Sequence, residues 1–506
     1  MALTEQLVKD TYNKLKCKAN EYLIKGRIHK ALLYTHLAAY TNHTFFLSFY
    51  DKELETVLKA ASDKIDKSKS IGFIPKEKRC VMLDSLSRYR GGLTVQYVKA
   101  IAATGWNLLY ITEQEMQAPH HRELHVFLNA FENIKVVEVP KGLNGLSKLQ
   151  FIYDIIVDYA PYRLYKHLSS SDAYFSSISY ALPKEIIKYN IDIADHAFLL
   201  GFQSGDYSFE FRSLGCSIAS KFREMPTNRL LLLPFFPVVD DVPFKGLPDS
   251  CNGKKIVLSG GSCYKIIDKD DTFFKLIREL IHQNPDTVII FPYSGDDTVV
   301  RQKISKYGLT SNFILLGWRD DISALYRHAD VFLNTYPHGG GTMSQYAAHL
   351  HVPILSYIPE GGCANPVEGF VCQIDNTILS SIGMDNFLSE ANKLLTDIDY
   401  HKKKANSAYK CVLGNDRFYL YFRQMSITCK NIISFEIDKT VSIDKKQMDK
   451  MIDYHNRTGG YQMRLVALIG INTITCNFTY LSAFVREIIP KLTRVFKQRG
   501  FHFNRI

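Results

Sequence analysis

The segment "YPHGGGTMSQYAAHLHVPIL", residues 336–355, places His338 and three consecutive glycines directly after the apolar run "DVFLN". A glycine-rich turn between a strand and a helix presents backbone N–H groups and a positive helix end to a bound phosphate. The segment therefore predicts a phosphate-binding loop, with the hydroxyl of Thr342 at the helix N-cap. An ordinary strand-to-helix turn is the alternative. The candidate ligand-binding residues of this segment are His338, Gly340, Gly341, Thr342, Met343 and Ser344.

Three further loops follow apolar runs and carry residues that suit a nucleotide. "SGGSCYKI" offers backbone at Gly260, Gly261 and Ser262, and a cation at Lys265, although a solvated surface lysine is the alternative. It is not a Walker A loop, because Gly-x4-Gly-Lys-Ser/Thr is absent. "FPYSGDD" offers Tyr293, and "LGWRDDISALY" offers Trp318 and Arg319, where a flat base could stack.

These four loops all end strand-like segments of one alternating series. The predicted strands are "KIVLSGG", "TVIIFPY", "NFILLGW", "DVFLNTY" and "VPILSY", and the predicted helices begin near Asp270, Asp296, Asp320 and Thr342. Short apolar strands that alternate with amphipathic helices predict a parallel, doubly wound sheet with both faces covered. Ligands bind beyond the carboxyl ends of the strands in such sheets, which is where the four loops lie.

An earlier part of the chain has the same pattern. "RCVMLDSL", the turn at 91–92, the helical "LTVQYVKAIAAT" and the strand-like "WNLLYIT" form a βαβ opening. The later runs "KVVEVP", "DAYFSSISYAL", "DHAFLLG" and "RLLLLPFF" are predicted strands. A proline-rich passage at 234–253 is the predicted linker, so the fold class is α/β with two Rossmann-like domains facing a cleft.

Four parts of the chain follow from these patterns. Residues 1–76 have apolar residues at helical spacing, which predicts a tetratricopeptide-like helical hairpin or a helical cap on the next domain. Residues 77–240 form the first predicted Rossmann-like domain, and 250–415 the second, which carries the four loops. Residues 416–506 are predicted to pack back on the first domain.

Composition narrows the partners and the compartment. The chain has 506 residues and a formal net charge of +11 that is dispersed, which favours an anionic substrate or an acidic membrane surface over nucleic acid. Ten cysteines without a CxxC pair argue against a zinc site and favour a reducing cytosol. The first residues lack an apolar signal-peptide core.

Two C-terminal segments bear on membrane contact. Residues 465–485 carry no charge but several polar side chains, which favours a buried strand and helix over a membrane span. The terminal "FVREIIPKLTRVFKQRGFHFNRI" is basic and could lie on an anionic bilayer surface or pack on the first domain. The predicted location is cytoplasmic, with peripheral contact on the inner face of the membrane as an option.

The motifs of the second domain carry a family resemblance. "IVLSGGSCYKIIDKDDTFFKLIRELIHQNPDTVIIF" and "DVFLNTYPHGGGTMSQYAAHLHVP" resemble the corresponding segments of the O-GlcNAc transferase family, a group of GT-B glycosyltransferases. The similarity covers about 254–360 well and the rest in general layout. It implies tandem Rossmann-like domains that hold a nucleotide sugar mainly on the second domain.

The resemblance also implies roles for individual residues. Lys265 matches the lysine that contacts the diphosphate and stabilises the leaving group, while Gly341, Thr342 and Met343 match the phosphate-binding helix start. The positions that match the uracil site are Gly317, Trp318, Arg319 and Ile322. The chain departs from the family where its histidine falls at Gly341, with His338 nearby, and where its ribose-binding Asp falls at Tyr346.

Glycosyl transfer needs stabilisation of the departing diphosphate and a base for the acceptor hydroxyl. Lys265 and the helix start can supply the first without a metal, no Asp-x-Asp motif is suitably placed, and no cofactor beyond the sugar donor is expected. Retaining GT-B enzymes have Glu-x7-Glu where this chain has Pro337 and Gln345, which favours inversion. The predicted bases are Asp84 and His196, ahead of Glu210, His120 and His121. Arg88 and Arg90 could meet an anionic acceptor.

Three functions follow from these residues. The favoured one is an inverting, metal-free glycosyltransferase that moves a sugar from a UDP-hexose or UDP-HexNAc to a glycan or a protein. A UDP-sugar 2-epimerase shares the architecture but needs carboxylates that are scarce near the glycine loops. A non-catalytic GT-B subunit that stabilises a partner transferase is the alternative outside enzymes.

Overall fold

The computed structural model describes residues 2–89, 93–239, 241–361, 367–371, 377–443 and 445–469. In this part of the chain, N-terminal helices precede two parallel β-sheets that are covered by helices, and further helices follow. The predicted α/β class with two Rossmann-like domains and an α-helical N-terminal extension is confirmed.

Three helices open the chain: α1 (Glu5–Ile24), α2 (Ile28–Phe45) and α3 (Lys52–Ser62). The side chains of Thr4 and Asp51 accept hydrogen bonds from first-turn N–H groups of α1 and α3, which fixes where these helices begin. Side chains of the three helices share one hydrophobic core with the first sheet. The helices therefore pack against that sheet.

The first sheet is parallel throughout, with the strand order β3-β2-β1-β4-β5-β6-β7. Its strands are β1 (Lys76–Asp84), β2 (Asn107–Thr112), β3 (Ile134–Glu138), β4 (Pro161–His167), β5 (Ile187–Ile191), β6 (Tyr207–Glu210) and β7 (Leu230–Leu232). The helices between them are α4 (Thr94–Ala103), α5 (Arg122–Asn129), α6 (Gly145–Tyr159), α7 (Ala173–Ala181) and α8 (Ser213–Lys221).

Helix α7 corrects one prediction, because "DAYFSSISYAL" was expected to form a strand. The Asp172 side chain accepts a hydrogen bond from the Phe175 N–H at 2.9 Å and caps the helix. Both Phe175 and Ser176 are fully buried, as are most side chains around the helix. A helix buried on nearly all sides shows no polar face, so its period is hidden in the sequence. The expected strand "DHAFLLG" is likewise a loop, with turns between 192 and 201.

The second sheet is also parallel, with the order β11-β10-β8-β12-β13-β14, and β9 pairs with β10 beside it. Its strands are β8 (Lys255–Leu258), β9 (Gly261–Ser262), β10 (Thr287–Ser294), β11 (Phe313–Gly317), β12 (Val331–Leu333), β13 (Ile354–Ile358) and β14 (Ser380–Ile382). Its helices are α9 (Thr272–Gln283), α10 (Thr298–Lys306), α11 (Ile322–Arg327), α12 (Gly341–His349), α13 (Glu368–Val371), α14 (Met384–Thr396) and α15 (Ile398–Cys411). The four helices predicted in this domain start within two residues of the predicted positions.

Three helices follow the second domain: α16 (Asn415–Thr428), α17 (Lys445–Thr458) and α18 (Gly460–Ile469). Phe418 and Phe422 of α16 lie in the core of the first domain beside Tyr97. Tyr461 of α18 packs edge-on against Phe45 of α2 at 4.8 Å. The chain thus returns to the first domain after completing the second.

Some predicted features lie outside the described residues. These are Arg90, most of the uncharged segment 465–485 and the basic terminal segment. Among the described helices, none combines the length and the hydropathy needed to cross a membrane.

Candidate functional site

The loops after β8 and β12 meet at the carboxyl edge of the second sheet, because these two strands are neighbours. The His338 backbone N–H donates to the Lys265 carbonyl at 3.3 Å. The Lys265 side chain is half-buried and forms no ion pair with any described residue. Burial lowers the pKa of the Lys265 ammonium. A cation that lacks a protein partner at a strand end is available to a bound anion.

Helix α12 begins beside this lysine with unoccupied N–H groups. Gly340 is the N-cap and offers no side chain, so Thr342 is the second helical residue and not the predicted N-cap. The N–H groups of Gly341, Thr342 and Met343 donate to no acceptor in the part of the chain that the structure describes. Three such donors at a helix N-terminus suit a phosphate group.

The residues around the helix start hold it in place. Asn334, just after β12, accepts a hydrogen bond from the Gly340 N–H at 2.9 Å. The buried Ser344 hydroxyl donates to the Gly340 carbonyl at 2.9 Å, so Ser344 supports the loop from inside. The Met343 side chain lies against the other glycine loop, where its Cε is 3.1 Å from a Cβ added to Gly260.

The glycines are required for two different reasons. Gly261 has φ +136°, which side-chain-bearing residues rarely adopt. Gly340 and Gly341 have no positive φ, so their backbone conformation does not require glycine. At Gly341 the constraint is steric, because an added Cβ would lie 2.6 Å from Cδ1 of Phe370. At Gly260 it is also steric, because an added Cβ would lie 2.9 Å from the Pro292 carbonyl oxygen.

His338 lies half-buried between positive charges. Its ring packs against Tyr264, with the ring centroids 5.8 Å apart. Burial, together with the charges of Lys450 and Lys265, lowers the pKa of His338 to about 4. His338 is therefore neutral near pH 7 and can accept or donate a hydrogen bond.

Of the positions expected to bind the nucleobase, only some have side chains free to do so. Gly317 has φ +66°, and the Trp318 side chain after it is 73% exposed, free to stack on a flat ring. Arg319 instead donates to both carboxylate oxygens of Asp321 at 2.6 Å and to the Gly246 carbonyl at 3.1 Å, which anchors the linker. Ile322 is half-buried in the domain core.

The Ser262 and Tyr293 side chains are engaged within the second domain. The Tyr293 hydroxyl donates to Asp297. The Ser262 hydroxyl pairs with that of Ser294 at 3.1 Å, which joins β9 to β10. They shape the loop beside Lys265.

Asp84 is enclosed within the first domain. It is fully buried, and its carboxylate accepts hydrogen bonds from the Thr94 hydroxyl at 2.7 Å and the Tyr110 hydroxyl at 2.8 Å. Burial alone would raise the pKa of Asp84, but His167 and the N–H of Ser87 lower it. These contacts anchor the loop after β1. They do not suit a base that must touch an acceptor.

His196 has the opposite character. Its side chain is 53% exposed, and its Nδ1 lies 3.2 Å from Oδ1 of Asp195. Asp195 is fully buried and is held by Arg212 through Nε–Oδ2 at 2.5 Å and Nη2–Oδ1 at 2.7 Å. Burial alone would raise the pKa of Asp195, but the Arg212 charge lowers it, so the carboxylate stays ionised.

A series of contacts links His196 to Gly341 at the start of α12. The Arg212 guanidinium lies 4.4 Å from the ring centroid of Phe370. This is the ring that packs against Gly341 and leaves no room there for a side chain. Asp195, Arg212 and Phe370 were not among the predicted site residues. The sequence offered only the Asp before His196 as a signal, because the other two come from distant segments.

The remaining first-domain candidates are less suitable. Glu210 is fully buried and out of reach of an acceptor, and burial followed by the charge of Asp192 raises its pKa well above the usual range. His121 is buried with Nδ1 3.0 Å from the Ser87 carbonyl, and His120 packs on its ring. Arg88 is exposed at the end of β1.

Two positions beside the helix start bind the linker. The Gln345 amide donates to the carbonyls of Phe235 at 2.8 Å and Phe370 at 3.0 Å. The Tyr346 hydroxyl donates to the Val238 carbonyl at 2.6 Å. No group of three or more His, Cys, Asp or Glu residues within the described residues could hold a metal ion.

Comparison with known proteins supports the fold. No protein-family model matches the sequence, and no curated protein does. An O-GlcNAc transferase variant from Thermobaculum terrenum is 14% identical, with 88% of this chain and 84% of that chain covered and a TM-score of 0.51. A glycosyltransferase from Rickettsia africae is 11% identical, with 70% and 98% covered and a TM-score of 0.51.

A third solved structure has the same arrangement. S. aureus TarM, in a complex with fondaparinux, α-GlcNAc-glycerol and UDP, is 7% identical, with 69% and 99% covered and a TM-score of 0.50. At these identities the similarity shows the fold alone. The resemblance to GT-B glycosyltransferases is confirmed at that level.

Proposed function

We propose that the protein is a glycosyltransferase that moves a sugar from a UDP-sugar, a UDP-hexose or UDP-HexNAc, to a glycan or protein acceptor. The observation that carries the proposal is that Lys265, which has no ion-pair partner among the described residues, lies in a loop joined to the start of α12, where three N–H groups are unoccupied. Both lie at the carboxyl edge of a GT-B donor domain, where a diphosphate binds in such sheets. The complex of TarM with UDP supports a UDP-linked donor.

The proposed reaction is a single displacement with inversion. His196 Nε2 accepts the proton of the acceptor hydroxyl while Asp195 keeps Nδ1 protonated. The acceptor oxygen bonds to the anomeric carbon, the bond from that carbon to the diphosphate oxygen breaks, and its electron pair leaves with UDP. Lys265 and the α12 N–H groups stabilise the charge that develops on the leaving group.

The uracil is proposed to stack on the exposed ring of Trp318, beside the backbone of Gly317. Stacking on Trp318 does not by itself select uracil, since any flat ring stacks on an aromatic face. The uridine preference rests on the family resemblance and is part of the proposal. Arg319 acts through the linker that it anchors.

Calorimetry with UDP, followed by assays of UDP release from UDP-glucose and UDP-GlcNAc, tests the proposal. We expect micromolar UDP binding and release that continues in excess EDTA, because Lys265 and the helix start take the place of a metal. Loss of release in EDTA that Mg²⁺ restores would contradict the metal-free assignment. Absence of UDP binding would favour a non-catalytic subunit, and conversion of UDP-GlcNAc to a 2-epimer would favour the epimerase.

A further inference from the structure

Helix α17 is fixed by one face to the N-terminal helices. Met448 and Ile452 lie in the core that α1 and α2 share with the first sheet. The His455 ring packs against Phe45 of α2, with the centroids 5.5 Å apart. The Asn456 amide donates to the Leu3 carbonyl at 3.0 Å. These contacts fix helix α17 to the N-terminal helices that pack on the first domain.

Another face of α17 reaches the donor loops of the second domain. The Tyr454 ring lies 6.5 Å from that of Tyr264, which in turn packs on His338. Lys450 lies one turn before Tyr454, so both residues are on the same side of the helix. The charge of Lys450 acts on the His338 ring together with that of Lys265. Helix α17 therefore contacts both the first domain and the loop of the second domain that carries Tyr264.

The charges at this point are uncompensated. Lys265 is half-buried and Lys450 is exposed, and neither pairs with a carboxylate among the described residues. Two ammonium groups beside one neutral imidazole repel each other, and a bound anion would relieve that repulsion. The exposed Tyr264 and Tyr454 rings border the same place, with 52% and 41% of their side chains accessible.

We propose that Lys450 is a second cation of the pyrophosphate site, brought to the donor by the C-terminal helix α17. The inference rests on the proposed UDP-sugar function and deepens it. The ligand is a nucleoside diphosphate, whose pyrophosphate lies between Lys265, the start of α12 and Lys450. The donor site is then assembled from both domains and the C-terminal helices, and the Tyr264–Tyr454 pair closes its outer side.

The test compares Lys450→Gln with a matched change, Lys445→Gln, at an exposed lysine near the N-terminal end of the same helix, where it interacts with Glu5. Calorimetry is run on the full chain with UDP and with uridine. We expect Lys450→Gln to weaken UDP binding about tenfold, as loss of a charge-assisted contact would, and to leave uridine binding unchanged. Lys445→Gln should bind UDP like the wild type, and Lys450→Arg should retain most of the affinity.

The outcomes separate this inference from the function on which it rests. Wild type that does not bind UDP removes the proposed function itself. Wild type that binds UDP, with Lys450→Gln binding equally well, overturns only the role of Lys450. Equal weakening for UDP and uridine would show that α17 shapes the pocket as a whole, and that result also overturns the pyrophosphate assignment.

Discussion

At the scale of single residues, the candidate site combines positive charge with groups that stay neutral. Lys265 supplies a cation and the first turn of α12 supplies three unoccupied N–H donors, and the hydrogen bond from the His338 N–H to the Lys265 carbonyl joins their two loops. His338, between Lys265 and Lys450, contributes no charge at neutral pH because its pKa lies at about 4. In the first domain, His196 Nδ1 lies 3.2 Å from the ionised Asp195, an arrangement that suits the base role proposed for His196.

Replacement of Lys265 by alanine tests the leaving-group role. We expect turnover to fall about 10²–10³-fold, as with loss of one transition-state donor. Lys269→Ala is the matched control, because Lys269 is exposed on the same loop. Steady-state rates of UDP release measure both variants, and circular dichroism checks their folding. Equal turnover of a folded Lys265→Ala variant and the wild type would contradict the assigned role.

The depressed pKa of His338 predicts that UDP binding takes up protons. The free protein holds His338 neutral down to about pH 4, against 6.5 for an unperturbed histidine. A bound diphosphate offsets the charges of Lys265 and Lys450 and raises this pKa, so His338 gains a proton as UDP binds. Its contribution to UDP affinity therefore grows as the pH falls through the raised pKa of the complex towards about 4, the pKa of His338 in the free protein.

Calorimetry at pH 5.5 in two buffers of different ionisation enthalpy measures this uptake. The test compares the wild type with His338→Gln. UDP can itself change its protonation on binding, and it does so equally with both proteins. The difference in proton uptake between the two proteins therefore reports on His338. We expect the wild type to take up a larger fraction of a proton per bound UDP than His338→Gln does. Identical uptake by both proteins would place His338 away from the phosphates.

At the scale of elements, the start of α12 is shaped by its neighbour α13. A side chain at Gly341 would meet Phe370 of α13, whose ring also lies beneath Arg212. A substitution there therefore acts on the phosphate loop and, through Arg212 and Asp195, on the His196 side of the cleft. Gly340 differs, since a Cβ there would meet Met343 at an ordinary 3.4 Å.

We expect Gly341→Val to weaken UDP binding about tenfold or more, because overpacking of this size costs about 1–3 kcal/mol. Uridine binding should change much less, since uridine has no phosphates. Gly340→Ala serves as the control, with a smaller effect, and Gly341→Ala combined with Phe370→Ala should recover most of the affinity lost in Gly341→Ala. Calorimetry measures all of them. A double variant as weak as Gly341→Ala would mean that the added side chain occupies the phosphate volume itself.

The elements also show how far the sequence could predict the structure. The second domain was predictable because each apolar strand ends in glycine or polar residues that mark the next loop. Helix α7 was not, because its buried Ser and Ala residues leave no polar face to reveal its period. Asp195, Arg212 and Phe370 could not be grouped from sequence, since residues so far apart in the chain meet only through the fold. The reason for Gly341 was equally hidden, because Phe370 supplies it.

At the scale of the whole molecule, the linker between the domains is tied to both of them. The Phe236 N–H donates to Gln96 of α4 in the first domain at 3.2 Å. The carbonyl of the preceding Phe235 accepts from Gln345 of α12 in the second domain. Helix α12, whose first N–H groups are proposed to bind the phosphates, is therefore coupled directly to the point where the two domains join. Gln345 and Tyr346 both donate hydrogen bonds to carbonyls of this linker.

Loss of this tie should loosen the linker while the domains stay folded. We expect Gln345→Ala to increase amide hydrogen exchange at residues 235–239, because the Phe235 and Phe370 carbonyls lose their shared donor, at about 1 kcal/mol for each bond. Gln302→Ala, on the exposed side of α10, is the control and should exchange like the wild type. Hydrogen exchange with mass spectrometry resolves the segment. If exchange at the linker is unchanged while the start of α12 alone becomes less protected, Gln345 supports only its own helix, and the domains are joined by other contacts.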